Sequence, residues 1–408
     1  MKQKQKKKKN SLVVQIVIAV ILGGIMGSIM PDFSNYFKVI GDLFLKLMQM
    51  SIPLLVLGQI VQAIGGIEAK ELKKFGTQTL LIFGVSSLLA SIWGVLAAYV
   101  FRPGEGVVIN VDLENVIESK SLLWTDTLLG FFPSNIFDAL SKGSIIQIIV
   151  FACFFGLALN RFMQRNPESQ LFKTISDFNE VIMNIIRLVM TLAPIGVFCL
   201  IGSSISDLGT GIILPLVKYL VIYSAATIVF LIFWIIVVCA YCKIGFVPLI
   251  RNMRQISIVA IVTISSAVTL PIAIDDAKAK LGISKRITEL VLPLGVSLNS
   301  NGSAMFMSIT VVTIMQLYQI DFNLQTLVYL SIMATLVSLA NAVVPGGGLV
   351  SLAIIVPQMG LPIESIAIFA GVEWFTGIIR TILNVNSDVY TAILVAAAAD
   401  ELDVSCYK

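Results

Sequence analysis

Apolar runs of about 20 residues, long enough to cross a hydrocarbon core, recur along the whole chain. Clear cases are LVVQIVIAVILGGIMGSIM, LLIFGVSSLLASIWGVLAAYV and ILPLVKYLVIYSAATIVFLIFWIIVVCAYC. Runs of that length fix solvent and secondary structure together. Lipid offers the backbone no water, so each N–H and C=O must be bonded within its own segment, which a helix achieves alone. A transmembrane barrel reads as short alternating segments and is excluded by runs this long. Composition agrees: 57% of residues are hydrophobic, 13% charged, and the mean hydropathy is +0.94. The fold class is an all-α polytopic membrane protein.

The start, MKQKQKKKKN, leads into a full span without a small-residue cleavage site, and reads as a retained cytoplasmic tail. So short a lysine run beside a membrane helix suits a topology determinant touching anionic membrane lipid; no nucleic acid partner is implied. The chain has no histidine, which removes the usual catalytic base and proton relay. Cys239 and Cys242 form a CxxC with no second pair at the end of an apolar span, and read as helix positions rather than a metal or redox site.

Six long spans fall at roughly 12–30, 41–65, 77–101, 141–160, 177–203 and 213–242. Basic residues favour cytoplasmic loops. Lys70, Lys73 and Lys74 follow the second span, Arg161, Arg165 and Lys173 the fourth, and Lys243, Arg251 and Arg254 the sixth. The alternate loops hold few (Lys38, Arg102, Lys120, Lys142), so both termini are expected on the cytoplasmic side. The polar segment 102–140 is expected as an outside surface loop.

Beyond residue 250 the pattern changes. ISIVAIVTISSAVTLPIAIDDAKAKLGISKR has apolar halves too short to span, broken by Ser265, Ser266, Thr269 and Pro271. A full-length span interrupted at SLNSNGSA follows. LSIMATLVSLANAVVPGGGLVSLAIIVPQMG then repeats the idea around Ser338, Asn341, Pro345 and Gly346 to Gly348. The order is hairpin, broken span, hairpin, span, with the hairpins entering from opposite faces as an inverted repeat. Non-helical backbone at membrane depth survives where it lines a cavity, and paired broken segments point to a midplane site in a secondary transporter. The last span carries Glu373, Gly377, Arg380, Asn384 and Asp388 at steps of four, three, four and four, which is one helical stripe. Charges at the bilayer centre cost about 2.5–3.5 kcal/mol each on insertion scales, so the stripe should face a polar cavity.

SSAVTLP, LPLGVSLNSNGSA, VVPGGG and RTILNVNSD, in this order and spacing, resemble the dicarboxylate/amino acid:cation symporters, the glutamate transporter family. The resemblance covers essentially the whole chain. It implies eight transmembrane helices plus two re-entrant helical hairpins, a homotrimer in the cell membrane, and an elevator-type transport part moving against a scaffold. Scaffold spans would lie in 12–76 and 141–212. The transport part would comprise span three (77–101), span six (213–249) and the core 250–400, with tails at 1–11 and 401–408. The implied function is sodium-coupled symport of a small acidic substrate, with proton coupling left open and no organic cofactor.

By the same resemblance, Arg380 would grip a substrate carboxylate, a task for which its planar fork suits better than a lysine. Asn384 would contact the other carboxylate and help hold sodium beside Gly295, Asn299 and Asp388. Ser265 and Ser266 at the first hairpin tip, and Val344 to Gly348 at the second, would close over the substrate, with Ser303, Glu373, Gly377 and Thr381 completing its surroundings. Ser297, Ser338, Leu339 and Asn341 would supply backbone oxygens to a second sodium. A third would match Ser86, Ser87 and Asn301. There the family's Asn-Met-Asp-Gly-Thr is Asn299, Ser300, Asn301, Gly302, Ser303, which leaves no anionic ligand, and Phe83 offers no hydroxyl. Two more departures concern the substrate. Ile264 replaces an arginine of many members, and Gly377 replaces the aspartate that holds the ammonium of amino-acid substrates. This favours a C4-dicarboxylate; Glu373, one turn earlier and longer, keeps an acidic amino acid open. An anion channel would need no complete cation site, and an intramembrane enzyme would need a base or a facing aspartate that the sequence lacks.

Overall fold

The structure is a computed structural model describing residues 15, 18–29, 34–66, 75–106, 129–208, 210–339 and 347–407. The tail 1–11, the loop with Lys70, Lys73 and Lys74, Lys120, and the 340–346 tip with Asn341 and Val344 lie outside the described residues. Among the described residues regular structure is helical, apart from an isolated antiparallel bridge between Ile283 and Leu402. Among the described residues six stretches are long and apolar enough to cross a bilayer, or seven when one bent pair counts as a single span.

The first helices are α1 (Ile18–Ile29), α2 (Ser34–Gln49), α3 (Ile52–Gly65) and α4 (Thr77–Phe101). A short α5 (Ile136–Lys142) precedes α6 (Ile145–Arg165), α7 (Leu171–Met190), α8 (Ala193–Leu208) and α9 (Ile213–Cys242). α4 and α9 fill the apolar runs at 77–101 and 213–242. Each stops where the next residue turns left-handed, Arg102 at φ 43° and Lys243 at φ 53°, which ends the hydrogen-bond ladder. Two other runs are divided. The stretch 41–65 breaks at Ser51, where Pro53 opens α3, and 177–203 bends by 54° between α7 and α8, where Pro194 sits in the first turn. A proline lacks the N–H that continuation would need, so the chain restarts its helix there.

The remaining helices are α10 (Phe246–Thr263), α11 (Ser266–Ala279), α12 (Lys285–Leu298), α13 (Asn301–Leu317), α14 (Leu324–Ser338), α15 (Gly347–Gln358), α16 (Ser365–Ala370) and α17 (Glu373–Ala398). α10 has 18 residues, longer than the short arm expected there, yet the chain folds back at its end. Asn252 on α10 donates to the Lys280 carbonyl at 2.8 Å, and Lys280 Nζ donates to Gln255 Oε1 at 2.6 Å, so α10 begins where α11 finishes. The tip is Ile264 at φ 47°, an uncommon conformation for a β-branched residue, followed by Ser265, whose hydroxyl caps α11 by accepting from the Val268 N–H. The carboxy-terminal turn straps the open end: Tyr407 donates to the Leu281 carbonyl at 2.8 Å, and Asn252 also donates to that of Cys406 at 3.1 Å.

Helices pack in two sets. α3 lies along α6 and α7, and α2 along α8. α1 approaches α8 through Gly23 and Gly27, against the Phe198 and Gly202 carbonyls, the close contact that small residues four apart permit. The second set is built around α13, buried at every position from Asn301 to Met315, which packs on α4, α9, α14 and α17. Its hydroxyls are satisfied laterally: Ser308 and Ser91 lie 2.6 Å apart and Thr310 lies 2.8 Å from Tyr219.

The α4–α13 contact depends on Gly94, where a Cβ would stand 2.9 Å from the Met305 carbonyl oxygen, whereas a Cβ at Gly84 of the same helix would meet nothing within 4 Å. Gly94→Ala should therefore lower the Tm of detergent-purified protein by an overpacking cost of about 1–3 kcal/mol. Gly84→Ala should leave the Tm unchanged or raise it, since alanine is the better helix former by roughly 0.5–1 kcal/mol.

Candidate functional site

α17 carries the stripe. Glu373, Thr376, Gly377, Arg380, Thr381, Asn384 and Asp388 are all buried, so their charges are answered within the protein rather than by solvent. Arg380 Nη2 lies 3.0 Å from Glu373 Oε1, two helical turns away on the same helix. Its guanidinium also sits over the Phe306 ring of α13, 5.2 Å from the centroid, a cation–π contact. Arg380 Nη1 is buried with no hydrogen-bond partner among the described residues. An unpaired charged donor in such a place is costly, and an arriving anion relieves that cost.

Glu373 is held on three sides. Oε1 accepts from the Gly348 N–H at 3.0 Å, besides Arg380, and Oε2 accepts from the Thr376 hydroxyl at 3.2 Å. The donor at Gly348 is one of the free N–H groups of the first turn of α15. Any side chain at 348 would run into both Arg380 Nη1 and Glu373 Oε2, so glycine is what lets α15 begin against this pair. The first hairpin closes the other side: a Cβ at Gly377 would lie 3.2 Å from Ile264 Cγ2 and 3.8 Å from Arg380 Nη2. Ile264 and Gly377 thus face each other, the isoleucine methyl filling the room the glycine leaves.

One turn on, the break between α12 and α13 meets the stripe. Asn299 is extended (φ −117°, ψ 105°), which frees the first N–H groups of α13. Asn384 Oδ1 accepts from the Gly302 N–H at 2.7 Å and Asn384 Nδ2 lies 3.5 Å from Ser303 Oγ. Asp388 Oδ1 accepts from Asn299 Nδ2 at 2.9 Å, while Asn299 Oδ1 is buried and unpaired. A Cβ at Gly295 would stand 2.6 Å from the Asp388 carboxylate, so Gly295, Asn299 and Asp388 share one spot, with Asn384 a turn away. One carboxylate, an unpaired amide oxygen and nearby carbonyls are the oxygen donors a hard monovalent cation takes. Among the described residues no three His, Cys, Asp or Glu side chains gather as a multivalent metal would require.

The other expected residues are placed as follows. Ser265 and Ser266 sit at the tip of the first hairpin, with Ser266 lining a small void beside Asp388 together with Leu270, Val296 and Val389. Ser338 and Leu339 end α14, where helix carbonyls lack intrahelical partners; Ser338 Oγ donates to the Thr335 carbonyl at 2.7 Å. Ser297 is exposed and donates to the Pro293 carbonyl at 3.3 Å. Ser86, Ser87 and Asn301 do meet, but as a neutral cluster. Both hydroxyls donate to Asn301 Oδ1, at 3.1 and 2.8 Å, and Asn301 Nδ2 faces inward without a partner. The cluster holds no carboxylate, so it brings only neutral oxygens together. Sequence reading overlooked Thr376 and Phe306. Thr376 had a signal, three residues from Glu373 on the same face, whereas nothing local marks Phe306 as the ring beneath Arg380.

The family model described as the sodium:dicarboxylate symporter family matches residues 12–398. The chain is 33% identical over 405 residues to a proton/sodium-glutamate symport protein of Bacillus caldotenax, covering 95% of this chain and 94% of the relative. It is 32% identical over 382 residues to a proton/glutamate-aspartate symporter of Escherichia coli strain K12, covering 90% and 86% respectively. A proton/sodium-glutamate symport protein of Bacillus subtilis strain 168 is 31% identical over 406 residues, covering 96% and 93%. Matched nearly end to end, the chain belongs to the sodium:dicarboxylate symporter family, and it is a membrane transporter rather than an enzyme.

Proposed function

We propose that the protein is a sodium-coupled secondary symporter that imports a small acidic substrate across the cell membrane by an elevator movement. The observation that carries this reading is Arg380: a buried guanidinium with one nitrogen unpaired, set between the first hairpin tip at Ile264 and the start of α15 at Gly348. The two packing sets support an elevator. α1–α3 and α6–α8 would be the scaffold, and α4 and α9–α17 the part that moves, within a homotrimer of eight-span subunits with two re-entrant hairpins and cytoplasmic termini. Sodium would be the co-substrate at Asp388, Asn299, Gly295 and Asn384, with a second at the end of α14. The neutral Asn301 cluster argues for fewer coupled ions than in members with the full motif. The relatives' names add protons as a coupling ion.

On substrate, Gly377 and Ile264 favour a C4-dicarboxylate, because the carboxylate nearest to them, Glu373, is already committed to Arg380, Gly348 and Thr376. The names of the relatives favour glutamate or aspartate as the second reading, with Glu373 turning to the ammonium. Competition of succinate, malate, aspartate and glutamate against labelled uptake into proteoliposomes separates the two. Aspartate binding far more tightly than succinate would overturn the role given to Gly377.

Arg380→Ala should abolish binding of acidic substrates. Truncating one partner of a buried charge pair costs about 3–5 kcal/mol, a loss of roughly a hundredfold to more than a thousandfold in affinity at ~1.4 kcal/mol per decade. Unchanged affinity in an equilibrium binding assay would reject the reading.

Uptake should vanish when external sodium is replaced by choline, and Asp388→Asn should remove the sodium dependence along with transport, because the charge that offsets the ion's dehydration is gone. Full uptake by that variant, or sodium-independent uptake by the wild type, would exclude sodium coupling at this position.

Gly377→Asp should shift preference from succinate towards aspartate, and more so with Ile264→Gly, which removes the methyl that a new Cβ would meet at 3.2 Å and also suits the left-handed backbone. The measurement is the ratio of the two inhibition constants. A ratio that stays put in the double variant would show that position 377 does not read the ammonium.

A further inference from the structure

We propose that Glu373 is a built-in substitute for the substrate, a tethered carboxylate that neutralises Arg380 and ties the second hairpin down when the site is empty. The proposal rests on the reading that Arg380 binds a substrate carboxylate. Three observations carry it. Glu373 and Arg380 side chains are 10% and 8% exposed, so the pair is shielded from water and neither charge is screened. Glu373 Oε1 takes both the Arg380 Nη2 proton and the Gly348 N–H, which is what one carboxylate oxygen of a ligand lodged between α17 and α15 would do. And Arg380 is only half used: Nη1 remains unpaired, so the internal carboxylate satisfies the guanidinium incompletely and is replaceable by one that engages both nitrogens.

The consequence concerns the return of the empty carrier. A symporter that has released its cargo must bring the site back across the bilayer. An uncompensated guanidinium would make that step expensive, because a lone charge in low dielectric loses its hydration and gains nothing. With Glu373 in place the empty site carries a paired charge, and the bond to Gly348 keeps the start of α15 against α17. When substrate arrives, its carboxylate takes both arms of Arg380 and Glu373 retreats towards Thr376, which already donates to its other oxygen at 3.2 Å. Glu373 sits in the first turn of α17, where the helix's own N-terminal field stabilises a carboxylate that has lost its counter-ion. It is thus a positioning residue for the empty state and a competitor in the loaded one.

The test is the full-length protein in proteoliposomes, with labelled succinate and labelled aspartate as probes and sodium throughout. Two modes are compared. Exchange, with unlabelled substrate inside, lets the carrier cross loaded in both directions; net uptake into substrate-free vesicles requires the empty return. Glu373→Gln should lower net uptake by about tenfold or more relative to exchange, the effect of ~1.4 kcal/mol on the return step, and should lower the half-saturating concentration for exchange. If that variant does not elute from gel filtration like the wild type, Glu373→Asp replaces it. Its carboxylate is one methylene short of spanning Arg380 and Gly348, and it should show the same split in weaker form. Equal loss of both modes would overturn the proposal and make Glu373 a ligand of bound substrate. Retention of both would overturn it by showing that the empty return does not need this charge. Failure of the parent reading looks different: the wild type itself would exchange neither probe.

Discussion

A guanidinium enclosed by apolar helices imposes requirements on every element that touches it. Arg380 lies over Phe306, beside Glu373, near the start of α15 and against the tip of the first hairpin. Each neighbour answers a different part of its charge or shape: a ring face for the flat cation, a carboxylate for one nitrogen, a glycine so that a helix can begin close by. The polar stripe on α17 is tolerable in a membrane protein because these partners, from α17 itself and from the elements around it, fill the space that water would otherwise claim.

The broken helices follow from the same need. An unbroken helix spends its backbone groups on itself and presents none to a ligand. The breaks at Ile264 and Asn299 and the first turn of α15 leave backbone groups without intrahelical partners, and α17 supplies side chains that meet them. Asn384 takes the Gly302 N–H, Glu373 takes that of Gly348, and Asp388 sits beside Gly295 and Asn299. Fully buried α13 holds these ends in register, fixed to α4 and α9 by hydroxyl contacts rather than by the hydrophobic effect, which has little leverage where lipid is as apolar as leucine.

Much of this was legible in the amino-acid order. Runs such as 77–101 and 213–242 declare their helices because nothing in them can end one. The stripe on α17 is visible because 3.6-residue periodicity is a local property. Pro53 and Pro194 were visible too, but long apolar runs mask the breaks they cause, so α2/α3 and α7/α8 read as continuous spans. The folding back of α10 and α11 was readable from its serines and proline, whereas the length of α10 was not. Contacts across sequence were the hidden part. The cation–π ring at Phe306, the Gly348 bond and the neutral Ser86–Ser87–Asn301 cluster join residues dozens to hundreds of positions apart, and no spacing rule reports them.

The meeting of Ile264 with Gly377 has a consequence for how such a chain can diverge. The methyl of one occupies the hollow left by the other, 3.2 Å from where any β-carbon at 377 would stand. A β-carbon at 377 asks the tip side chain to give by a few tenths of an ångström, and a smaller residue at 264 gives up the methyl contact while, if glycine, it relieves the left-handed backbone. The two positions are coupled in space, although they lie in different elements and more than a hundred residues apart. The wall of this hollow is shaped jointly from the hairpin tip and from α17, so a change at one position alters what the other can hold.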